Sequence, residues 1–311
     1  MYAIVFPGQG SQEVGMAADF RRVYDVARAT FEEADDALGF ALSRIIDEGP
    51  EERLRETEIT QPAVLTASIA IHRVLSATLP RPPAVFAGHS LGEYTALVAA
   101  GALSFADAVR VVHQRGAFMQ EAVPVGEGEM AAIVGLSGDI VREICAGTQG
   151  RVSPANFNSP EQTVIAGEVA AVRAASEALK AAGAKRAIPL DVSAPFHCEL
   201  MVPAMQRLAP VLAATDFCDA KVAVISNVTA EAYTRAEDAR ELLGRQVCAP
   251  VQWVRCVERM VSEGVKLQLE VGPGKVLTGL AGRIDRSLQR LSVAGLDGLD
   301  AALKALAELD S

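Results

Sequence analysis

The feature that most limits what this chain can become is the five-residue run Gly88-His89-Ser90-Leu91-Gly92. Before it stands Pro83-Ala84-Val85-Phe86-Ala87, short, apolar and partly β-branched, which reads as a buried strand. After it comes Glu93-Tyr94-Thr95-Ala96-Leu97-Val98-Ala99-Ala100, an apolar helix that Gly101 can end. A strand that turns sharply into a helix needs small residues on both sides of the corner, and the two glycines supply them. Ser90 is then left at the tip with its hydroxyl exposed, as in the G-x-S-x-G nucleophile elbow. The following helix aims its amide dipoles at Ser90, where developing negative charge is favoured. A bare G-x-S-x-G is more often a turn serine in a Gly-rich loop. The strand before it and the helix after it favour a reactive serine.

The rest of the chain alternates strand and helix signals around that corner. Tyr2-Ala3-Ile4-Val5-Phe6 reads as a first strand running into the Gly-rich loop Pro7-Gly8-Gln9-Gly10-Ser11-Gln12. Such a loop brings backbone amides near a ligand, or merely needs permissive φ; neither phosphate-loop spacing is present. Residues 16–56 carry helical patterns with acidic faces. Thr60-Gln61-Pro62 opens a long apolar helix through Leu75, with Pro62 in its first turn, and a further helix over Phe105 to Gln120 carries His113 and Arg115. At Gly126 the character changes. Strands at Met130 to Val134, Arg151 to Ser153, Thr163 to Ala166 and Lys185 to Leu190 alternate with helices at Asp139 to Cys145 and Val169 to Ala182. Asn156-Phe157-Asn158-Ser159-Pro160 reads as the link between the middle two strands. This β-α-β-β-α-β order predicts a ferredoxin-like α+β subdomain over residues 126–195, inserted into a larger unit formed by residues 1–125 and 196–311. The βα pattern resumes after Pro195-Phe196-His197, with strands at Ala223 to Ser226 and Leu267 to Val271 and helical stretches between and after them. The larger unit is therefore an α/β domain with a parallel, helix-covered sheet.

Half of the 311 residues are hydrophobic, enough for a large core, and the formal net charge is -10. That balance argues against nucleic acid or an anionic membrane as the main partner. The five cysteines are odd in number and form no C-x-x-C pair, so reduced thiols in the cytoplasm and no metal site are expected. Met1 to Phe6 lacks a basic region and a long apolar run, and the longest apolar stretch is broken by His89 and Glu93. Neither a signal peptide nor a membrane span is expected.

A serine hydroxyl needs a base. Of the four histidines, His72 and His113 lie within helical patterns, and His89, next to Ser90 at a sharp corner, points elsewhere and reads as structural. His197 follows a strand and precedes a helix, so it sits at a strand end as Ser90 does. In open α/β sheets such ends gather around one crevice. Asp191 and Glu199 are near it in sequence, but a backbone carbonyl or an amide could equally orient the imidazole, so no triad is assigned. Arg115 is a helix-surface residue by default; if it faces the crevice, its planar fork suits a substrate carboxylate.

These residues fall in the order of a known family. Pro7 to Gln12, Gln61-Pro62, Gly88 to Tyr94, Gln114-Arg115-Gly116, Asn156 to Pro160, Pro195-Phe196-His197, and Gln246 with Pro250-Val251-Gln252-Trp253 together resemble the malonyl-CoA:acyl carrier protein transacylases. More widely, they resemble the acyltransferase domains of fatty acid and polyketide synthases. The resemblance implies an α/β-hydrolase-like large domain with the ferredoxin-like insert. It implies Ser90 as the acylated nucleophile and His197 as its base, oriented by a backbone carbonyl near Gln246 to Pro250. The amides of Gln9 and Leu91 would form the oxyanion hole, and Arg115, helped by Gln246, would pair with the malonyl carboxylate. Asn158 would lie near the coenzyme A or pantetheine arm, and Phe196, with Leu91, resembles malonyl-selective versions. Glu161 stands where many relatives have Gly, which puts the Asn158 loop in question. The activity implied is ping-pong malonyl transfer from malonyl-CoA to the phosphopantetheine thiol of an acyl carrier protein, by a cytoplasmic monomer without cofactor. Lys185, Arg186, Lys275 and Arg283 are candidates for receiving the acidic carrier. An esterase with the same corner, or a docking subunit with a vestigial site, are the competing readings.

Overall fold

Tyr2–Phe6 (β1) buries all five of its side chains, which is why its sequence shows no polar alternation. Ile4 and Phe6 join the core on one face of the sheet, Ala3 and Val5 the core on the other. The remaining strands of this computed structural model, which describes residues 1–310, are β2 (Val85–Gly88), β3 (Gly128–Val134), β4 (Val152–Ser159), β5 (Gln162–Glu168), β6 (Arg186–Pro189), β7 (Val224–Ile225), β8 (Ala232–Tyr233), β9 (Leu267–Val271) and β10 (Gln289–Val293). They form two sheets.

The larger sheet has the order β10-β9-β1-β2-β7-β8. Its pairs are parallel, with Ala3 opposite Val85 and Tyr2 opposite Leu267, except that the edge strand β8 runs antiparallel to β7. The chain builds outward from β1 through β2 and β7 on one side, then returns to add β9 and β10 on the other. The loops leaving β1 and β9, on either side of this switch point, diverge and open a crevice. The loops after β1 and β2 carry Gln9 and Ser90.

The smaller sheet, order β4-β5-β3-β6, is antiparallel throughout. Ala131, Ile133 and Ile165 face the helices Gly138–Gly147 and Val169–Ala181, while Met130, Ala132 and Val164 face the main core. The second face is what brings this sheet over the crevice.

Four elements differ from the sequence reading. β8 is a short strand where only helical stretches are expected between β7 and β9, and its antiparallel pairing makes the expected parallel sheet a mixed one. Asn156 to Ser159 are strand, not link: β4 runs on through them, and only Pro160 and Glu161 make the turn. The β4–β5 pairing is bulged between Pro154 and Asn156 and between Phe157 and Ser159. Bulged strands built from Pro, Asn and Ser carry little strand propensity, and bulges re-aim side chains. β10 has no counterpart in the reading because Gln289-Arg290-Leu291-Ser292-Val293 is a polar, partly exposed edge. The long helix begins at Thr57, so Pro62 lies inside it. The missing Pro62 N–H leaves the Glu58 carbonyl without its helical donor; His113 Nδ1–H donates to it instead, at 2.8 Å. Among the described residues, no helix is long and apolar enough to cross a membrane.

Candidate active site

Contact, rather than φ, explains the two glycines of the corner. A Cβ on Gly88 would stand 2.0 Å from the Gly92 carbonyl, and one on Gly92 would stand 2.1 Å from the Phe6 carbonyl oxygen. The turn thus closes on itself and on the end of β1. Ser90 is driven to φ 51, ψ -104, a backbone that non-glycine residues rarely adopt. It is tied from both sides: its N–H donates to Asn227 Oδ1 at 2.6 Å, and its carbonyl accepts from Gln246 Nε2 at 3.1 Å.

Ser90 Oγ–H donates to His197 Nε2 at 2.7 Å. The Nδ1–H of the same ring donates to the backbone carbonyl of Gln246 at 2.9 Å, which assigns the tautomer and leaves Nε2 free to accept. Gln246 ends the helix Ala236–Gln246, where carbonyls have no intrahelical donor. Burial first, and then the charge of Arg115, hold the His197 pKa down to about 3, so the ring is neutral at physiological pH. A carbonyl fills the place that Asp191 or Glu199 was considered for; Asp191 instead faces Arg55, 3.8 Å away on the surface. His197 does not come from the end of a parallel strand. The preceding strand, β6, ends at Pro189 and belongs to the small sheet. His197 arrives on the irregular passage that follows β6, itself at φ 59.

Arg115 is not on a helix surface. It is 1% exposed, inside the helix Phe105–Glu121, at a point where Gly116 lets that helix press on Thr57. A Cβ on Gly116 would lie 2.5 Å from the Thr57 carbonyl oxygen. Its Nη1 donates to Gln61 Oε1 at 2.8 Å, and its Nη2 donates to Gln246 Oε1 at 2.9 Å and to Ser90 Oγ at 3.1 Å. Its guanidinium carbon lies 5.3 Å from the centre of the Tyr94 ring.

A cavity of about 250 Å³ joins these groups, walled by Gln9, Ser90, Leu91 and Arg115 and, from the smaller sheet, by Met130 and Val164. Leu91 is the first residue of the helix Leu91–Ala99; the amides of Gly92 and Glu93, next along, donate to the carbonyls of His89 and Ser90. Phe196 lines the same cavity beside His197. Asn158 also lines it, and its Oδ1 accepts from His89 Nε2 at 2.8 Å, which gives His89 its structural place. Of the basic candidates, Lys185 reaches Glu161 at 3.5 Å and Arg283 reaches Gln162 Oε1 at 3.1 Å, bracketing the β4–β5 turn. Arg186 and Lys275 are exposed.

Sequence reasoning missed three members of the site. Asn227, after the two-residue β7, gave no signal. Gln61 was noted only as part of a motif, although it lies 1% exposed in an apolar helix. Glu93, a carboxylate within an apolar helix, was the legible oddity. It is fully buried and accepts from Gln246 Nε2 at 2.7 Å, the Asn227 N–H at 3.0 Å and the Tyr233 hydroxyl at 2.9 Å.

A neutral imidazole can accept the proton of the strained serine, and a buried cation stands at the same oxygen. The chain belongs to the acyl transferase domain family, whose model matches residues 3–297. Among its relatives, the malonyl CoA-acyl carrier protein transacylase of Escherichia coli (strain K12) is 51% identical over 305 residues, covering 97% of this chain and 99% of that protein. The Bacillus subtilis (strain 168) protein of the same name is 46% identical over 309 residues, covering 98% and 97%. Among solved structures, an acyl carrier protein S-malonyltransferase from Vibrio cholerae superposes with a TM-score of 0.95 at 50% identity, covering 97% of this chain and 99% of that one. A malonyl-transacylase in complex with its type II PKS acyl-carrier protein does so with a TM-score of 0.95 at 49% identity, covering 98% and 99%.

Proposed function

We propose that this protein transfers malonyl from malonyl-CoA to the phosphopantetheine thiol of an acyl carrier protein, by a ping-pong route through malonyl-Ser90. The observation that carries the reading is the convergence on one oxygen: Ser90 Oγ is 2.7 Å from the neutral Nε2 of His197 and 3.1 Å from Nη2 of Arg115. In the first half-reaction Oγ attacks the thioester carbonyl as its proton passes to Nε2. The oxyanion sits against the N–H groups of Gln9 and Leu91, each such donor being worth about 3–4 kcal/mol in rate. The C–S bond then breaks, and His197 returns the proton to the coenzyme A sulfur. In the second half-reaction the carrier thiol gives its proton to His197, attacks malonyl-serine, and Ser90 leaves as the alcohol.

Arg115 holds the free carboxylate of the malonyl group by exchanging its donation to Ser90 Oγ for a charge-assisted bond, worth roughly 1.5–3 kcal/mol. The bulk of Phe196 and Leu91 at the reacting carbon disfavours an α-methyl branch, so malonyl is preferred over methylmalonyl. Asn158, on the small sheet, is read as lining the pantetheine arm. We read residues 126–195 as a ferredoxin-like insert in an α/β-hydrolase-like domain; the strand order of the small sheet and the Ser90 corner support this. The working form is taken to be a cytoplasmic monomer that needs no cofactor, with the acidic carrier received near Lys185, Arg186, Lys275 and Arg283.

The test is direct. Malonyl-CoA alone should add one malonyl mass to the protein, on the peptide holding Ser90. Carrier protein bearing its phosphopantetheine should then remove it and gain the same mass. Loss of the label to water at an undiminished rate without carrier would instead favour an esterase, and no label at all would favour a docking subunit.

A further inference from the structure

Arg115 is buried without a carboxylate beside it. Among the described residues none forms an ion pair with it, and its three acceptors are neutral oxygens on Gln61, Gln246 and Ser90. A buried cation without a balancing charge is costly. The balancing charge stands one side chain further back. Gln246 Nε2–H donates to the fully buried Glu93 at 2.7 Å, and its Oε1 accepts from Arg115 Nη2 at 2.9 Å. One amide therefore spans carboxylate and guanidinium, its donor end on the anion and its acceptor end on the cation.

We propose that Glu93 is the counter-charge of Arg115, held back by the width of one amide, and that it sets how tightly the site grips the free carboxylate of a diacid thioester. The proposal rests on the malonyl-transfer reading above. A direct Glu–Arg pair would fill the guanidinium fork with a protein carboxylate. Setting the anion back keeps Arg115 charged and leaves donors for the substrate. The same negative charge repels a second carboxylate in the cavity, so it weakens a grip that must be released when the acyl group departs on the carrier thiol.

The groups that face Glu93 are Arg115 on the helix Phe105–Glu121, Tyr94 on its own helix, Tyr233 on β8 and Cys256 on the helix Trp253–Ser262. Burial pushes the pKa values of both tyrosines and of Cys256 upward, so these three stay neutral around pH 7. Burial also raises the Glu93 carboxyl to about 7, against its three hydrogen bonds and the attraction of Arg115. Its charge therefore changes within the working range.

Glu93→Gln separates charge from scaffold. Its carboxamide oxygen can take the place of Oε2 under Gln246 and Asn227, and its NH₂ the place of Oε1, where the Tyr233 hydroxyl turns from donor to acceptor. The readout is the KM for malonyl-CoA divided by the inhibition constant of acetyl-CoA, followed from about pH 5.5 to 8.5. Both ligands carry the same coenzyme A phosphates, whose titration cancels in the ratio. In the wild type the ratio should fall about tenfold as pH drops through 7 and Glu93 takes a proton, a change of roughly one pK unit in coupling. In Glu93→Gln it should sit at the low value across the range. Tyr233→Phe removes a donor to the carboxylate and should move the wild-type inflection to higher pH, so the test survives if Glu93→Gln fails to fold. A wild-type ratio flat with pH overturns the proposal, as does a Gln variant at or above the wild-type high-pH value, or a Tyr233→Phe inflection that stays put. A wild type that takes no malonyl from malonyl-CoA overturns the transfer reading instead.

Discussion

Ser90 and His197 share an uncommon feature: each is a non-glycine residue at positive φ, 51° and 59°. Such backbones persist only where the surroundings over-determine them. Here the surroundings are Asn227 and Gln246 on either side of Ser90, and the Gln246 carbonyl under the His197 ring. Gln246 thus touches serine, imidazole and guanidinium at once, so the three move as a set. On the proposed function, Arg115 is the member that selects the substrate. Arg115→Ala should lower kcat/KM for malonyl-CoA by roughly 10- to 100-fold, the rate equivalent of one charge-assisted bond. Transfer from acetyl-CoA should hold or rise, because a neutral acyl group leaves the wild-type guanidinium unpaired. Paired kinetics with the two thioesters check this, and an unchanged preference would remove Arg115 from its assigned role.

At the scale of elements, the site depends on how closely two helices approach. Gly116 lets Phe105–Glu121 lie against the opening of Thr57–Ser76, and that approach sets Arg115 beside Gln61. Gly116→Ala should cost about 1–3 kcal/mol of stability, because its Cβ meets backbone that cannot step aside. It should also raise the KM for malonyl-CoA more than it lowers kcat, since it displaces the residue next to it while leaving Ser90 and His197 on other elements. Urea titration with steady-state kinetics would read both effects, and an equal loss of kcat would mean that the whole site had loosened. The sequence spoke clearly wherever one short stretch does all the work. The β2–Ser90–helix corner is such a stretch, because sterics at Gly88 and Gly92 leave it one shape. Elements whose form depends on partners were less legible. The bulged end of β4 is strand only because β5 pairs with it, and β10 is an edge with no apolar pattern of its own. His197 reaches Ser90 by a route other than a parallel strand end: the chain brings it back from the small sheet, a path that local pattern does not encode. Glu93 and Asn227 act through contacts more than 130 residues away in sequence, so no window could tie them to the serine.

Over the whole molecule, buried ionisable groups of opposite kinds should shape stability against pH. Burial lowers the pKa of His72 to about 4 and that of His197 to about 3, and it lowers that of His89 as well. The unfolded chain protonates these rings near 6.5 while the folded chain does not, so they make the fold lose stability as pH falls below about 6.5. Glu93, raised to about 7, and Glu270, raised by burial beside the amides of Leu277 and Thr278, act in the other direction. Their folded forms take up protons before the unfolded chain does, so stability gains as pH falls toward their ordinary value of about 4.5. The formal charge of -10 also shrinks over that span, which relieves self-repulsion. Between about pH 6.5 and 4.5 the two carboxylates and the charge relief offset most of the effect of the three histidines, and the urea midpoint should fall only slightly. Below 4.5 the carboxylates no longer contribute, while His197 and the last of His72 still do. Stability should then fall by about 3 kcal/mol by pH 3, the product of one to two unbalanced protons and the pH interval. His72→Phe, which packs a ring of similar size between Phe6 and Phe86 and carries no proton, should make the acid limb shallower. A midpoint that declines evenly from pH 6.5 would mean that the buried carboxylates do not offset the histidines, and with it that Glu93 is ionised well below pH 7.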